Sequence, residues 1–334
     1  MGPTGLWFVG KTVYEDHMGG SRLTIAALVN NMPDSAFIDT EDQVRHAIAA
    51  APGGHTIELA LYTITEIPRA PTIARLIQTR YRGLDQLWKH PPDALIVTGT
   101  EPAQAQLPYE PYWPYLAHLL EWAARSVPTT LLSCLAAHAS VLLFDGIERV
   151  PRGVKCSGVY PAAVEDASDP LTCGLPEVLR VPHSRVNDVP EQAMQDAGYR
   201  IVIGAGQSEA GWAVAARKRG DGLFVLCQGH LEYATLSLLR EYSRDVRRCL
   251  FGRGAVPYPR VPHGYLSPDG VAALEWFERR TKRADADPRM LWASFPFDEV
   301  AGGVENTWSA TSAMFHANWL GLARATPPAS PAAA

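Results

Sequence analysis

The stretch Thr129-Thr130-Leu131-Leu132-Ser133-Cys134-Leu135-Ala136-Ala137-His138-Ala139-Ser140-Val141-Leu142-Leu143-Phe144 changes its character at one residue. Thr129–Ser133 is β-branched and aliphatic and reads as a buried strand. Cys134–Phe144 reads as a helix that stops near Gly146. No linker separates the two, so Cys134 falls on a sharp strand-to-helix turn. Such a turn lifts a side chain out of the sheet. The first N–H groups of the helix, with the positive end of its dipole, favour a thiolate there and can hold an oxyanion. A free cysteine otherwise reads as a packing residue, and only its place at the junction makes Cys134 a candidate nucleophile.

Working outward, apolar runs bounded by turn residues recur at Leu23–Val29, Thr56–Tyr62 and Ala94–Thr98, the last closed by Gly99. Later short strands are expected at Val178–Val181, Arg200–Ile203, Trp212–Ala216 and Leu223–Cys227. Between them lie amphipathic stretches near Glu41–Ala50, at Trp113–Ala124 (with Leu116, Leu119, Leu120 and Ala123 on one face) and at Glu232–Cys249. This alternation implies an α/β fold, a three-layer, mostly parallel sheet flanked by helices. In such sheets ligands bind at the carboxyl ends of strands. Residues 1–20 read as an N-terminal extension, 21–325 as one domain, and the Pro- and Ala-rich Thr326–Ala334 as a loose tail. Gly252–Gly270, rich in Pro and Gly, reads as irregular.

Composition narrows the function. Of 334 residues 47% are hydrophobic, enough for a large core, and 30 Lys+Arg against 35 Asp+Glu leave a net charge of −5. A nucleic-acid partner would require a basic face. The short runs Arg217-Lys218-Arg219 and Arg279-Arg280-Thr281-Lys282-Arg283 read as solvated helix ends or loops. No apolar stretch is long enough to span a membrane, and Met1–Gly5 does not read as a signal peptide. The five cysteines lack paired spacing, which points to free thiols, a reducing compartment and a cytoplasmic protein. No His, Asp or Glu spacing suggests a metal, and no glycine-rich phosphate loop is present.

Directly after the strand Leu223–Cys227 comes Gly229-His230-Leu231-Glu232. A carboxylate two residues from an imidazole in an extended turn can fix its tautomer and raise its basicity, the third-group logic of a nucleophile–base–acid triad. The pair means little alone; with Cys134 at the same end of one sheet it suggests a triad. His138, one helical turn after Cys134, reads as a core histidine. Cys156 and Cys227 read as packing residues, Cys173 and Cys249 as structural, and His183 and His263 as pocket-wall residues without a role.

Other segments match a family. They are Val29-Asn30-Asn31-Met32-Pro33, Thr40-Glu41-Asp42-Gln43, Ile96-Val97-Thr98-Gly99, Tyr112-Trp113-Pro114 and Leu120-Glu121-Trp122-Ala123. After Cys134 come Lys155-Cys156-Ser157-Gly158-Val159-Tyr160, Pro182-His183-Ser184-Arg185, Gly229-His230-Leu231-Glu232-Tyr233, Arg244-Asp245-Val246, Val256-Pro257-Tyr258 and Asn318-Trp319-Leu320. In order and spacing the chain resembles the homoserine O-acyltransferases (succinyl- or acetyltransferases) of methionine biosynthesis. Their fold is flavodoxin-like, of the class I glutamine-amidotransferase kind. The resemblance implies ping-pong acyl transfer from acyl-CoA, a co-substrate rather than a bound cofactor. Cys134 would carry the acyl group, His230 act as base and Glu232 orient it. Lys155, Ser184 and Arg244 would contact the amino acid, and Leu135 would give a backbone N–H to the oxyanion. It also implies small-molecule substrates and a homodimer, with no nucleic acid and no membrane.

Departures from the family bear on specificity. The lysines that commonly follow the Met-Pro are replaced by Asp34-Ser35-Ala36-Phe37. The position that tends to be Glu in acetyl-specific and Gly in succinyl-specific members falls on Ala103, or on Gln104 in an alternative register. Either choice removes a carboxylate that would repel a succinyl group, and so favours a succinyl donor. Serine or another hydroxy amino acid remains an alternative acceptor to L-homoserine. A glutamine amidotransferase-like hydrolase is the rival chemistry, although Ser133-Cys134-Leu135-Ala136 lacks that group's flanking glycines. A non-catalytic binding relative is the third reading, prompted by the altered Asp34–Phe37 loop.

Overall fold

A computed structural model describes residues 12–14, 24–51, 57–252, 256–282 and 287–325. Ten strands form one sheet: β1 (Thr12–Tyr14), β2 (Thr24–Val29), β3 (Ile57–Tyr62), β4 (Ala94–Val97), β5 (Thr129–Ser133), β6 (Val150–Val164), β7 (Val178–Asp188), β8 (Arg200–Gly204), β9 (Val214–Arg219) and β10 (Gly222–Cys227). The helices are α1 (Phe37–Ala49), α2 (Pro71–Arg80), α3 (Leu84–Lys89), α4 (Trp113–Ser126), α5 (Leu135–Asp145), α6 (Glu191–Asp196), α7 (Ser237–Phe251), α8 (Pro268–Thr281), α9 (Pro288–Ala293), α10 (Phe297–Ala301) and α11 (Ser309–Ala325). The expected N-terminal extension and C-terminal tail, apart from residues 12–14, lie outside the described residues, as do Leu23, Thr56 and Arg283.

The apolar runs become strands because both of their faces are covered. In β2, Ala26 and Leu28 enter one core while Ala27 and Val29 enter the other, and β3 divides Leu59 and Leu61 from Ala60 and Tyr62 in the same way. α4 and α5 cover the first face, with Leu116, Leu119, Leu120 and Ala123 of α4 buried as their spacing predicts. α1 and α11 cover the second with Phe37, Val44, Phe315 and Trp319. A third core lies beneath α7 and α8, built from Leu238, Leu239, Tyr242, Leu274 and Phe277.

The sheet runs in the order β1-β3-β2-β4-β5-β10-β9-β8-β6-β7. Its central strands β3-β2-β4-β5-β10 are parallel, the flavodoxin-like order. The pairs beyond β10, and β1 on β3, are antiparallel. The chain winds one way from β2 to β3 and the other way to β4, so the loops after β2 and β4 diverge and leave a crevice between them.

Two elements differ from their sequence reading. β6 spans 15 residues where no strand is expected, because Pro151, Gly153, Gly158 and Pro161 interrupt its apolar pattern. Its long antiparallel pairing with β7 supplies what the pattern lacks. Arg217-Lys218-Arg219 is not a solvated loop but the end of β9, where Arg217 and Arg219 both bond Asp145. Gly252–Gly270 is irregular only up to Ser267, since Pro268 begins α8; residues 253–255 are not described.

Leu28 is fully buried in a central strand. Leu28→Ala should therefore lower the unfolding free energy by about 3 kcal/mol, measured as a shift of the urea midpoint at unchanged slope.

Candidate active site

The carboxyl ends of β2, β4, β5 and β10 open on a cleft of about 730 Å³, and Cys134, His230 and Glu232 all line it. Cys134 takes φ 49° and ψ −106°, the one positive φ outside glycine among the described residues. A backbone in this region is held only where its surroundings over-determine it. They do so here: the Cys134 N–H donates to the Cys227 carbonyl at 2.7 Å, and its own carbonyl accepts from the His138 N–H at 3.2 Å. The thiol is half-buried, as the elbow reading requires.

Leu135 opens α5, so its N–H has no intrahelical acceptor. Gly99, from the loop after β4, packs directly against it. A Cβ on Gly99 would lie 2.8 Å from the Leu135 Cβ and 3.0 Å from its nitrogen. Only glycine lets the two backbones come this close.

The His230 turn is tied to its neighbours by the His230 N–H, which donates to the Pro182 carbonyl at 2.7 Å. Its Nδ1 lies 2.9 Å from Glu232 Oε1, and the Ser133 hydroxyl donates to the same oxygen at 3.0 Å. The imidazole lies beside the Cys134 thiol and stacks on Tyr233, with ring centroids 4.2 Å apart. Burial opposes the imidazolium charge. The Glu232 carboxylate, with its hydrogen bond and the neighbouring Cys134 thiol, outweighs it and holds His230 well above its ordinary value of 6.5. For Glu232 burial works in the opposite sense, yet the His230 charge and hydrogen bond bring it below 4.5.

A charged wall faces the triad. Lys155 of β6 bonds Asp245 at 2.7 Å and lies 3.5 Å from Glu241, both on α7. The Ser184 hydroxyl of β7 and the Tyr233 hydroxyl donate to the two oxygens of Glu241. Arg244 lies 3.3 Å from Asp245, and Arg248 forms a two-point pair with Glu101 at 2.8 and 3.0 Å. α7 achieves this by amphipathicity: Leu238, Leu239, Tyr242 and Val246 enter the core beneath it, while Glu241, Arg244, Asp245 and Arg248 line the cleft. The structure thus gathers Cys134, His230, Glu232, Leu135, Lys155, Ser184 and Arg244 around one cavity.

Sequence reasoning missed Glu241, Asp245, Tyr233 and Ser133. The four-residue spacing of Glu241 and Asp245 was a usable signal; the bond from Ser133 to Glu232 joins residues 99 apart and left none.

Other residues fall elsewhere. Ala103 is exposed and outside the cleft, whose wall from that loop is Thr100 and Glu101. His183 is buried behind the wall, its Nδ1 2.7 Å from Arg185, and His263 stacks on Tyr160; neither lines the cavity. His138 is buried against Gln228 at 3.2 Å, and burial brings it down to about 4. Asp34 stands where the family's lysines would be and accepts from the Ala70 N–H at 2.6 Å and from Arg69 at 3.3 Å. The described residues contain no metal-binding cluster and no helix long and apolar enough to cross a membrane.

The raised His230 contributes stability that is complete below 6.5 and lost as pH rises through its folded value. The lowered Glu232 contributes stability present above 4.5 and lost as pH falls through its folded value. His230→Gln should therefore cost most stability between these two ordinary values, and the cost should shrink as pH climbs, read from urea unfolding of both proteins across a pH series.

Comparison with known proteins identifies the family. The family model described as homoserine O-succinyltransferase matches residues 16–327. A homoserine O-succinyltransferase of Bradyrhizobium japonicum is 44% identical over 270 residues, 80% of this chain and 81% of that protein. One of Methylorubrum extorquens is 41% identical over 295 residues, 88% of this chain and 86% of that protein. Among solved structures, a glutamine amidotransferase from Methylobacillus flagellatus aligns over 93% of this chain and 98% of its own at 12% identity and a TM-score of 0.45. With a family match spanning residues 16–327 and relatives this similar along most of both chains, the protein belongs to the homoserine O-succinyltransferase family.

Proposed function

We propose that Cys134 takes a succinyl group from succinyl-CoA as a thioester and passes it to the hydroxyl of L-homoserine. The overall activity follows from the family, whose members are acyltransferases acting on small molecules. The family places this activity in methionine biosynthesis, and we propose that the protein acts in the cytoplasm as a homodimer with a single acyltransferase domain.

Glu232 occupies Nδ1 of His230, which leaves Nε2 to exchange protons with the cleft. In the first half-reaction Nε2 takes the Cys134 proton and the sulfur attacks the thioester carbonyl. The carbonyl oxygen gathers charge beside the Leu135 N–H, the bond to the CoA sulfur breaks, and His230 returns the proton to that sulfur. One thioester replaces another, so this step is nearly balanced. In the second, Nε2 takes the homoserine hydroxyl proton, the alkoxide attacks the acyl carbon, and Cys134 leaves as thiolate and recovers its proton.

The observation that carries this reading is that Cys134 and the bonded pair His230–Glu232 open on the same cleft as a wall of alternating charge. That wall suits a zwitterion. Arg244 and Lys155 complement an α-carboxylate, while Glu241 and Asp245 complement an ammonium group.

Succinyl-CoA without an acceptor should add one succinyl mass to the protein, on the Cys134 peptide, and L-homoserine should discharge it. L-serine, shorter by one methylene, should discharge it about 10- to 100-fold more slowly. Cys134→Ala should take up no label, and a wild-type protein that never acylates would sink the proposal. Arg244→Lys, which loses the planar fork, should raise the KM for homoserine by about tenfold or more in steady-state assays.

A further inference from the structure

Six arginine or lysine side chains line the cleft, and five of them have carboxylate partners. Arg152 pairs with Asp188, Lys155 with Asp245 and Glu241, Arg185 with Asp188, Arg244 with Asp245, and Arg248 with Glu101. Arg260 is the sixth. It is exposed at the cleft and has no ion pair or hydrogen bond among the described residues. Resting on the acyl-transfer reading above, we propose that Arg260 anchors a phosphoryl group of the CoA donor at the mouth of the cleft.

The backbone around Arg260 is held from both sides. Pro257 and Pro259 restrict the chain before it. Between them Tyr258 packs into the core beneath α7. Three residues beyond Arg260, the His263 N–H donates to the Ser157 carbonyl at 2.9 Å, and its carbonyl accepts from the Val159 N–H at 2.7 Å. This contact depends on Gly158, at φ 150°, where a Cβ would fall 2.3 Å from the His263 oxygen. A cation on so fixed a strap loses little freedom when a ligand arrives.

The ligand's identity follows from division of labour within the cleft. A charged wall of Lys155, Arg244, Glu241 and Asp245 already complements the amino acid, and Arg260 lies outside that network. The cavity lining also includes Val154 and Val186, which are 42% and 55% exposed. An exposed apolar strip together with an uncommitted guanidinium suits a long thiol-bearing arm that ends in phosphate. Guanidinium binds phosphate through two parallel N–H···O bonds, so one such contact contributes substantially to affinity.

The test compares binding of CoA, dephospho-CoA and pantetheine by calorimetry, with competition for the weaker ligand, to the wild type, Arg260→Ala and Arg260→Lys. Melting temperatures confirm that each variant is folded. Arg260→Ala should weaken CoA about tenfold, the loss of one charge-assisted contact, and leave pantetheine binding where it was. Arg260→Lys should recover part of the loss. An effect kept with dephospho-CoA assigns the contact to the pyrophosphate, and an effect lost with it assigns the 3′-phosphate. Equal CoA affinity in Arg260→Ala, or equal weakening of pantetheine, overturns the assignment. A wild type that binds CoA but transfers no acyl group overturns the transferase reading alone, and one that binds no CoA overturns both.

Discussion

The parallel pairing of β5 with β10 is the constraint on which the rest of the site depends. Its register sets Ser133 opposite Cys227, and the ladder runs one residue further, from the Cys134 N–H to the Cys227 carbonyl. Together with the bond from the His138 N–H, it holds the thiol-bearing residue at a positive φ. It also brings it beside the turn that carries His230 and Glu232. A shift of one residue would turn Leu131 and Leu132, and Val225 and Leu226, toward the wrong cores. The hydrophobic faces of the sheet thereby fix the alignment of the reactive groups.

The second half of the site comes from the antiparallel extension. β6 and β7 contribute Lys155 and Ser184 from strands at the far edge of the sheet, and α7 returns across their side to meet them with Glu241 and Asp245. Tyr233 joins the two halves, stacking its ring on His230 while its hydroxyl donates to Glu241. The imidazole and the charged wall are therefore joined through Tyr233, by a ring stack on one side and a hydrogen bond on the other.

Much of this was legible along the chain. The runs at 24–29, 57–62, 94–97, 129–133 and 222–227 are apolar because both faces of a central parallel strand are buried, and composition reports that condition directly. The long helix was expected from Glu232, but α7 starts at Ser237. The five residues before it instead form the turn that brings the carboxylate back to the imidazole, a demand of the site that helical periodicity does not register. The specificity position was expected at Ala103 or Gln104, yet Glu101 lines the cavity and neither of those does, because the path of an irregular loop is set by what it packs against.

Residue order and local pattern determined the strand–helix alternation, the elbow at Cys134 and the pairing of His230 with Glu232, since each depends on neighbours within a few positions. Tertiary structure alone decided that Ser133 bonds Glu232, that Gly99 packs on Leu135, and that Glu241 and Asp245 meet Lys155. Those contacts join segments far apart in the chain. Only the closing of the sheet and the docking of α7 bring them within hydrogen-bonding or van der Waals reach.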